Sequence, residues 1–152
     1  PDMVVHDVQT EDERLWAPVA PGIWSRPLHL NVTGGFYVHL LKVKRSGLLQ
    51  RHRHSGMVHA HVLRGKWLYL EHDWVAEEGS YVFEPPGETH TLVVPDDCQD
   101  MVTLFTVHGA LMYVDTQGNA TGYDDVFTRI EKYRAHFEAV GLGADYVKQF
   151  MR

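Results

Sequence analysis

From Ile23 to about Asp115 the apolar residues come in short runs rich in Val, Leu, Tyr, Phe and Trp, broken by turn formers. Such runs read as strands, because strand side chains alternate between faces and branched or aromatic residues suit a half-buried pleated surface. The pattern predicts strands at Ile23–Asn31, Phe36–Lys44, Leu48–His52, Val58–Leu63, Lys66–Glu71, Tyr81–Glu84, Thr91–Val94, Met101–His108 and Ala110–Asp115. Between them stand turn signals such as Gly34-Gly35, Arg64-Gly65, Pro85-Pro86-Gly87 and Gln117-Gly118-Asn119,. Many short strands at this spacing predict an all-β sandwich or barrel.

Past Gly122 the period changes. Asp124 or Asp125 can cap a helix running to about Val140, on which Phe127, Ile130, Tyr133 or Arg134, Phe137 and Val140 recur at three- to four-residue spacing,. Gly141 and Gly143 end it, and Ala144–Met151 can form one more short helix. These helices are expected to pack outside the barrel or on a partner subunit, with no catalytic role. The first twenty-two residues, with Pro18 and Pro21, read as an arm. The expectation is one domain: an N-terminal arm at 1–22, a barrel at 23–115 and C-terminal helices at 123–151.

Composition narrows the function classes. At 152 residues, 44% apolar and 22% charged, the chain has the makings of a single folded core and is not a disordered segment,. A net charge of −6 argues against a nucleic-acid partner, which calls for a basic face,. No apolar run is long enough for a membrane-spanning helix,. Cys98 is alone, which excludes an internal disulfide and a Cys-rich zinc site,. With no basic, then apolar, leader at the N-terminus, a cytoplasmic location is expected. The outstanding number is 11 histidines, five of them between His52 and His72.

Gln50-Arg51-His52-Arg53-His54 carries two histidines that share one strand face, so their rings can meet at one metal ion,. A basic sheet edge is the other reading of that segment. In the second segment, Gly79 to His90, a strand ends in Pro85-Pro86-Gly87, and the turn can swing the His90 ring back to the interior. Together the two segments resemble the two motifs of the cupin superfamily, small β-barrels that hold a metal inside. Gly79, Pro85, Gly87 and His90 stand at the spacing of the second motif, with Val94 at its asparagine place. His52, His54 and Gly65 match the first, with Gly47 one residue closer than usual and His59 where the family has a glutamate.

The resemblance implies a site of three neutral imidazoles, His52, His54 and His90, which leaves a divalent iron at full charge and favours an anionic chelating ligand. Within the superfamily the chain is similar to the 2,4′-dihydroxyacetophenone dioxygenase family through Gln50–His54, Val58–Trp67, Gly79–His90 and the long C-terminal helix. That similarity implies a non-haem iron dioxygenase whose partners are a small aromatic hydroxyketone and O2. It would split the bond between the ketone and hydroxymethyl carbons to give 4-hydroxybenzoate and formate. Homo-oligomers are common among small cupins and are expected here. Three alternatives stay open: another three-histidine dioxygenase acting on a diketone or thiol, a zinc-holding sensor in the manner of anti-sigma factor domains, and a barrel that binds nothing.

For the remaining roles, His59, His61, Glu84 and Glu88 are candidate bases. His59 and His61 share a strand face, and His59 replaces an inward glutamate, so His59 is expected in the pocket. Glu84, at a strand end, is the second catalytic candidate and a partner for the far nitrogen of a ligand histidine. Glu88, in a turn, is expected to be solvated. His61, Trp67, Tyr69 and His108 are the candidate substrate contacts, among several aromatic residues that include Tyr37, Phe83, Phe105, Met112 and Tyr113,. His39 and His108 also read as satisfied core or surface histidines. His6, His29, His72 and His136 are expected at the surface, and Cys98 is expected to be a bystander.

Overall fold

The computed structural model describes residues 1–152. Its strands are β1 (Ala17–Ala20), β2 (Ile23–Asn31), β3 (Phe36–Val43), β4 (Gly47–His54), β5 (Val58–Arg64), β6 (Lys66–Tyr69), β7 (Val75–Glu77), β8 (Tyr81–Glu84), β9 (Thr89–Val94), β10 (Met101–His108), β11 (Leu111–Val114) and β12 (Ala120–Asp124). They form two six-stranded antiparallel sheets, ordered β1-β2-β3-β10-β5-β8 and β12-β11-β4-β9-β6-β7. This is the all-β sandwich that the strand pattern predicts and the cupin fold that the two histidine motifs imply, followed by one helix, α1 (Val126–Ala139), and a short 3-10 segment at Ala144–Phe150. No helix is long and apolar enough to cross a membrane.

The inner faces follow from alternation. The inward buried residues are Tyr37, His39 and Val43 on β3, Val58, Ala60 and Val62 on β5, and Trp67 and Tyr69 on β6. Trp67 is fully buried and donates its indole N–H to Thr103 Oγ1 at 2.9 Å, so its polar atom is satisfied inside the core,. Between β5 and β6 the chain turns at Gly65. Its φ of +72° suits glycine, and an added Cβ would lie 2.3 Å from the Asp100 carbonyl oxygen,.

The N-terminal arm is more structured than a plain arm. β1 lies inside it and pairs with β2, while Trp16 joins Leu28, Leu40 and Val102 in a second apolar cluster on the outer face of the first sheet. The buried Arg26 guanidinium ties the arm down by donating to the carbonyls of Asp7 and Val8. At the other end the strands continue to Asp124, past the expected barrel limit of 115. The chain end is stitched to the same sheet: the Arg152 amide donates to Leu30 O at 3.0 Å and the Val32 amide to Arg152 O at 2.8 Å.

Helix α1 starts at Asp125, whose carboxylate accepts from the amides of Phe127 and Thr128 while Thr128 Oγ1 accepts from the Asp125 amide,. It packs against β1, β2 and β12 of its own chain, and Val126, Ile130, Tyr133 and Phe137 join the main core. The expected apolar face is therefore rotated: Phe127 is exposed, and Arg129, which reads as polar in sequence, is buried.

Candidate metal centre

Four side chains meet inside the sandwich. His52 and His54 come from β4, His90 from β9, and Glu84 from the end of β8 in the opposite sheet. All four are buried, and their ligand atoms lie within 4.8 Å of one another. β4 and β9 are neighbours with His52 opposite His90, so sharing a face on adjacent strands is what gathers the three rings,. Glu84 arrives because β8 pairs with β5, placing Glu84 opposite Val58 with its side chain turned inward.

The geometry fits a cation. Nε2 of His54 and Nε2 of His90 are 2.9 Å apart, and Glu84 Oε1 lies 3.3 Å from the first and 3.1 Å from the second. A metal bound at ~2.1 Å needs its ligand atoms ~3–4 Å apart, as here. Oε2 of Glu84 is buried without a hydrogen-bond partner. A buried carboxylate oxygen is seldom left so. Three imidazoles and one carboxylate, with the His54 and His90 Nε2 atoms turned to Glu84, are the donor set of a hard-to-intermediate divalent ion,.

The electrostatics agree. Burial pushes the His52 ring down to about 3, helped by repulsion from His54 and His90, so it is a neutral donor,. Burial opposes ionisation of Glu84, but hydrogen bonds from His54, His90 and Tyr69 outweigh it and bring its carboxyl down to about 2. Tyr69 donates to Glu84 Oε1 at 2.5 Å and stacks flat on the His90 ring, centroids 3.7 Å apart. Burial and the Glu84 charge hold the Tyr69 phenol well above its usual range, so it stays a donor.

Several expected positions move. His59 and His61 do share a face, but it is the outer one: Val58, Ala60 and Val62 take the inward places. His59 bonds Tyr81 Oη at 2.5 Å, and His61 is exposed beside the same ring. Neither reaches the cavity, because a strand shows only alternate residues to one side. The carboxylate absent at the His59 place is supplied by Glu84, so the cluster is three histidines and a glutamate, and a divalent ion there carries one net charge fewer than in a three-histidine site. His108 sits on the outer face near Phe36 and His59. Trp67 is core; of the four candidate substrate contacts only Tyr69 lines the cavity. Glu88 is half-buried rather than solvated, 2.6 Å from His72 Nε2.

Beside His52 and His54 lies a mostly apolar cavity of about 60 Å³ that Leu41, Leu92, Phe105 and Leu111 help to line. It is open on one side, where Val19, Gln50 and Arg129 also line a second, more polar chamber of about 230 Å³. Two residues on its wall are not among the candidate site residues of the sequence, although His39 reads there as a satisfied core or surface histidine. One is His39, whose Nδ1 is 2.7 Å from Ser25 Oγ, itself bonded to Tyr133 Oη. Burial, then the Arg129 charge, holds the His39 ring well below its usual value, so it is neutral. The other is Arg129. Alternation on β3 marks His39 as inward beside Tyr37; nothing local marks Arg129.

Comparison with known proteins bears on the fold. The ChrR cupin-like domain family model matches residues 4–112. No curated protein matches the chain. Among solved structures, an RmlC-like cupin protein of Ralstonia eutropha JMP134 is 30% identical, with 84% of this chain and 83% of that one covered at a TM-score of 0.77. Acetylacetone dioxygenase of Acinetobacter johnsonii is similar over 90% of this chain and 95% of its own, at 18% identity and a TM-score of 0.75. The complex of Rhodobacter sphaeroides SigE with the anti-sigma ChrR matches 60% of this chain and 47% of that one, at 20% identity and a TM-score of 0.52.

Proposed function

This chain belongs to the ChrR cupin-like domain family, and from that premise we propose that it is a metal-dependent dioxygenase cleaving a C–C bond in a small chelating ketone, with iron as its metal. The observation that carries the reading is the buried His52–His54–Glu84–His90 cluster beside an apolar cavity with an open side. A regulatory metal site needs no such cavity. The similarity to acetylacetone dioxygenase is one of fold and supports the class of reaction without fixing the substrate.

His52, His54 and His90 would hold the ion, with Glu84 as the fourth ligand or its anionic neighbour. When bound, iron would supply Lewis acidity toward the chelating oxygens of the substrate and the redox chemistry with O2. Tyr69 fixes both Glu84 and the His90 ring, by a hydrogen bond and by stacking. His39 is the neutral imidazole of the cavity that lies outside the cluster. Its Nδ1 is engaged by Ser25, so the neutral ring would orient a substrate oxygen by a hydrogen bond through Nε2,. The apolar wall excludes water around the reacting carbons.

Size refines the substrate. At about 60 Å³ the inner chamber is smaller than the ~150 Å³ cavity that accepts benzene, so it takes the chelating head of the molecule,. An aryl tail, as in 2,4′-dihydroxyacetophenone, extends toward the second chamber; acetylacetone has no such tail. The test is anaerobic loading with Fe(II), metal analysis, and oxygen uptake with each compound. Iron near one per chain, with uptake and with 4-hydroxybenzoate and formate formed from the aryl ketone, supports the reading at its finest. Uptake with acetylacetone alone keeps the class and changes the substrate. Zinc bound with no turnover after exchange for iron overturns it in favour of a sensor, the function suggested by the anti-sigma neighbour.

A further inference from the structure

Arg129 is 7% exposed, yet its Nε has no partner, and its guanidinium lies 5.2 Å from the centre of the Tyr37 ring. The carboxylate nearest to it is Asp124, at 3.7 Å from Nη2. That is beyond hydrogen-bond length. Asp124 is already engaged elsewhere. It accepts from Tyr113 Oη at 2.6 Å, Thr128 Oγ1 at 2.7 Å and Lys132 Nζ at 2.8 and 3.0 Å. Two cations thus share one carboxylate, and the more buried cation is the one held farther from it, beside the phenols of Tyr37 and Tyr133.

A guanidinium keeps its charge under all ordinary conditions and presents a fork of donors shaped for a two-oxygen anion. Burying it without a bonded anion is costly. Arg129 also stands where the two chambers meet, lining both. The second chamber adds Lys132, Asp124, Tyr113, Tyr133 and the hydroxyl of Ser25 to its walls, so with Arg129 its lining carries two cations against one carboxylate and is rich in donors.

We infer that Arg129 is an oxyanion-binding site at the far end of the ligand pocket, taking a carboxylate or phenolate carried by the molecule whose other end lies at the His52–His54–His90–Glu84 cluster. The inference deepens the proposed function, since it names what the substrate bears opposite its chelating oxygens. It makes the ligand an amphiphile: oxygens at one end, an apolar body running past Val19 toward the second chamber, and an anionic group at Arg129. A simple diketone lacks that last group.

The experiment is isothermal titration of the full chain with sodium benzoate and with benzamide, its neutral counterpart of equal shape, first zinc-loaded and then after chelation. Wild type should prefer benzoate by ~10-fold or more, the scale of one charge-assisted hydrogen bond. The preference should survive chelation, persist in part in Arg129→Lys and vanish in Arg129→Met. Thermal melts and zinc content of each variant show whether the fold and the metal cluster are intact. If Arg129→Met does not fold, the wild-type preference after chelation and its reduction in Arg129→Lys carry the test. No preference in wild type, or one that disappears with the metal or survives in Arg129→Met, overturns the inference. Zinc stoichiometry is read separately, so a chain that binds benzoate through Arg129 but holds no metal would defeat the proposed function and leave the anion site standing.

Discussion

His39→Asn offers a quantitative test of how the cavity is built. The His39 side chain is buried, 4% exposed, and held neutral by burial and by the nearby Arg129 charge. In the unfolded chain it titrates at its ordinary value of about 6.5. Below that pH the unfolded state binds a proton that the folded state refuses, so folding stability falls as the pH falls. While the folded ring stays neutral, each pH unit below 6.5 costs about 1.4 kcal/mol, or ~2 kcal/mol between pH 7 and pH 5. Asparagine has no such titration and keeps an amide near the Nδ1 position that faces Ser25. Urea unfolding followed by tryptophan fluorescence, at both pH values and with chelator present, measures the difference. Groups common to both proteins, His52 among them, cancel. Wild type should lose ~2 kcal/mol more than His39→Asn on going to pH 5. Equal losses would show that His39 protonates freely in the folded state, and the argument for a dry, neutral cavity wall would fall.

Trp67→Ala should cost ~3–5 kcal/mol of stability, seen as a lower urea midpoint, because it empties a fully buried site. Metal content should stay at the wild-type level, since Trp67 is core and not a cavity contact. His59→Ala and His61→Ala should each leave metal stoichiometry and oxygen uptake unchanged, as expected of residues on the outer face; loss of either property would restore the inward reading of that strand. Gly65→Ala should destabilise by more than ~1 kcal/mol, combining a positive φ with a clash against the Asp100 carbonyl; an unchanged melting temperature would contradict both.

Much of the barrel was legible from its short apolar runs. β2, β8 and β10 run over the residues that those runs predict; β8 alternates between exposed and less exposed residues, while β2 and β10 also bury Leu28 and Val102 in the second apolar cluster with Trp16. The three strands that escaped, β1, β7 and β12, are all sheet edges with mostly exposed residues, so they carry little apolar pattern. The histidine cluster was legible from local spacing on β4 and from the turn before His90. Period two could show that His59 and His61 share a face, but not which face. The alternating Val58, Ala60 and Val62 hold that information, and they are read correctly only when they are seen as the packed set. Glu84 joins the histidines through pairing between strands distant in sequence. Arg129 was beyond reach for the same reason, as only its packing beside β1, β2 and β12 buries it.

That packing has a further consequence. All four residues of the metal cluster lie between His52 and His90, on the interior strands β4 and β9 of one sheet and at the end of the edge strand β8 of the other, whereas Arg129 and Tyr133 arrive on a helix that begins after Asp124. The stretch that would do chemistry and the stretch that would read the ligand are thus separate lengths of chain meeting at one wall. Such a layout is a chassis with an exchangeable cover. Substitutions along residues 126–139 can redraw what enters while leaving every candidate ligand in place. Grafting that helix between relatives should transfer preference without transferring reactivity.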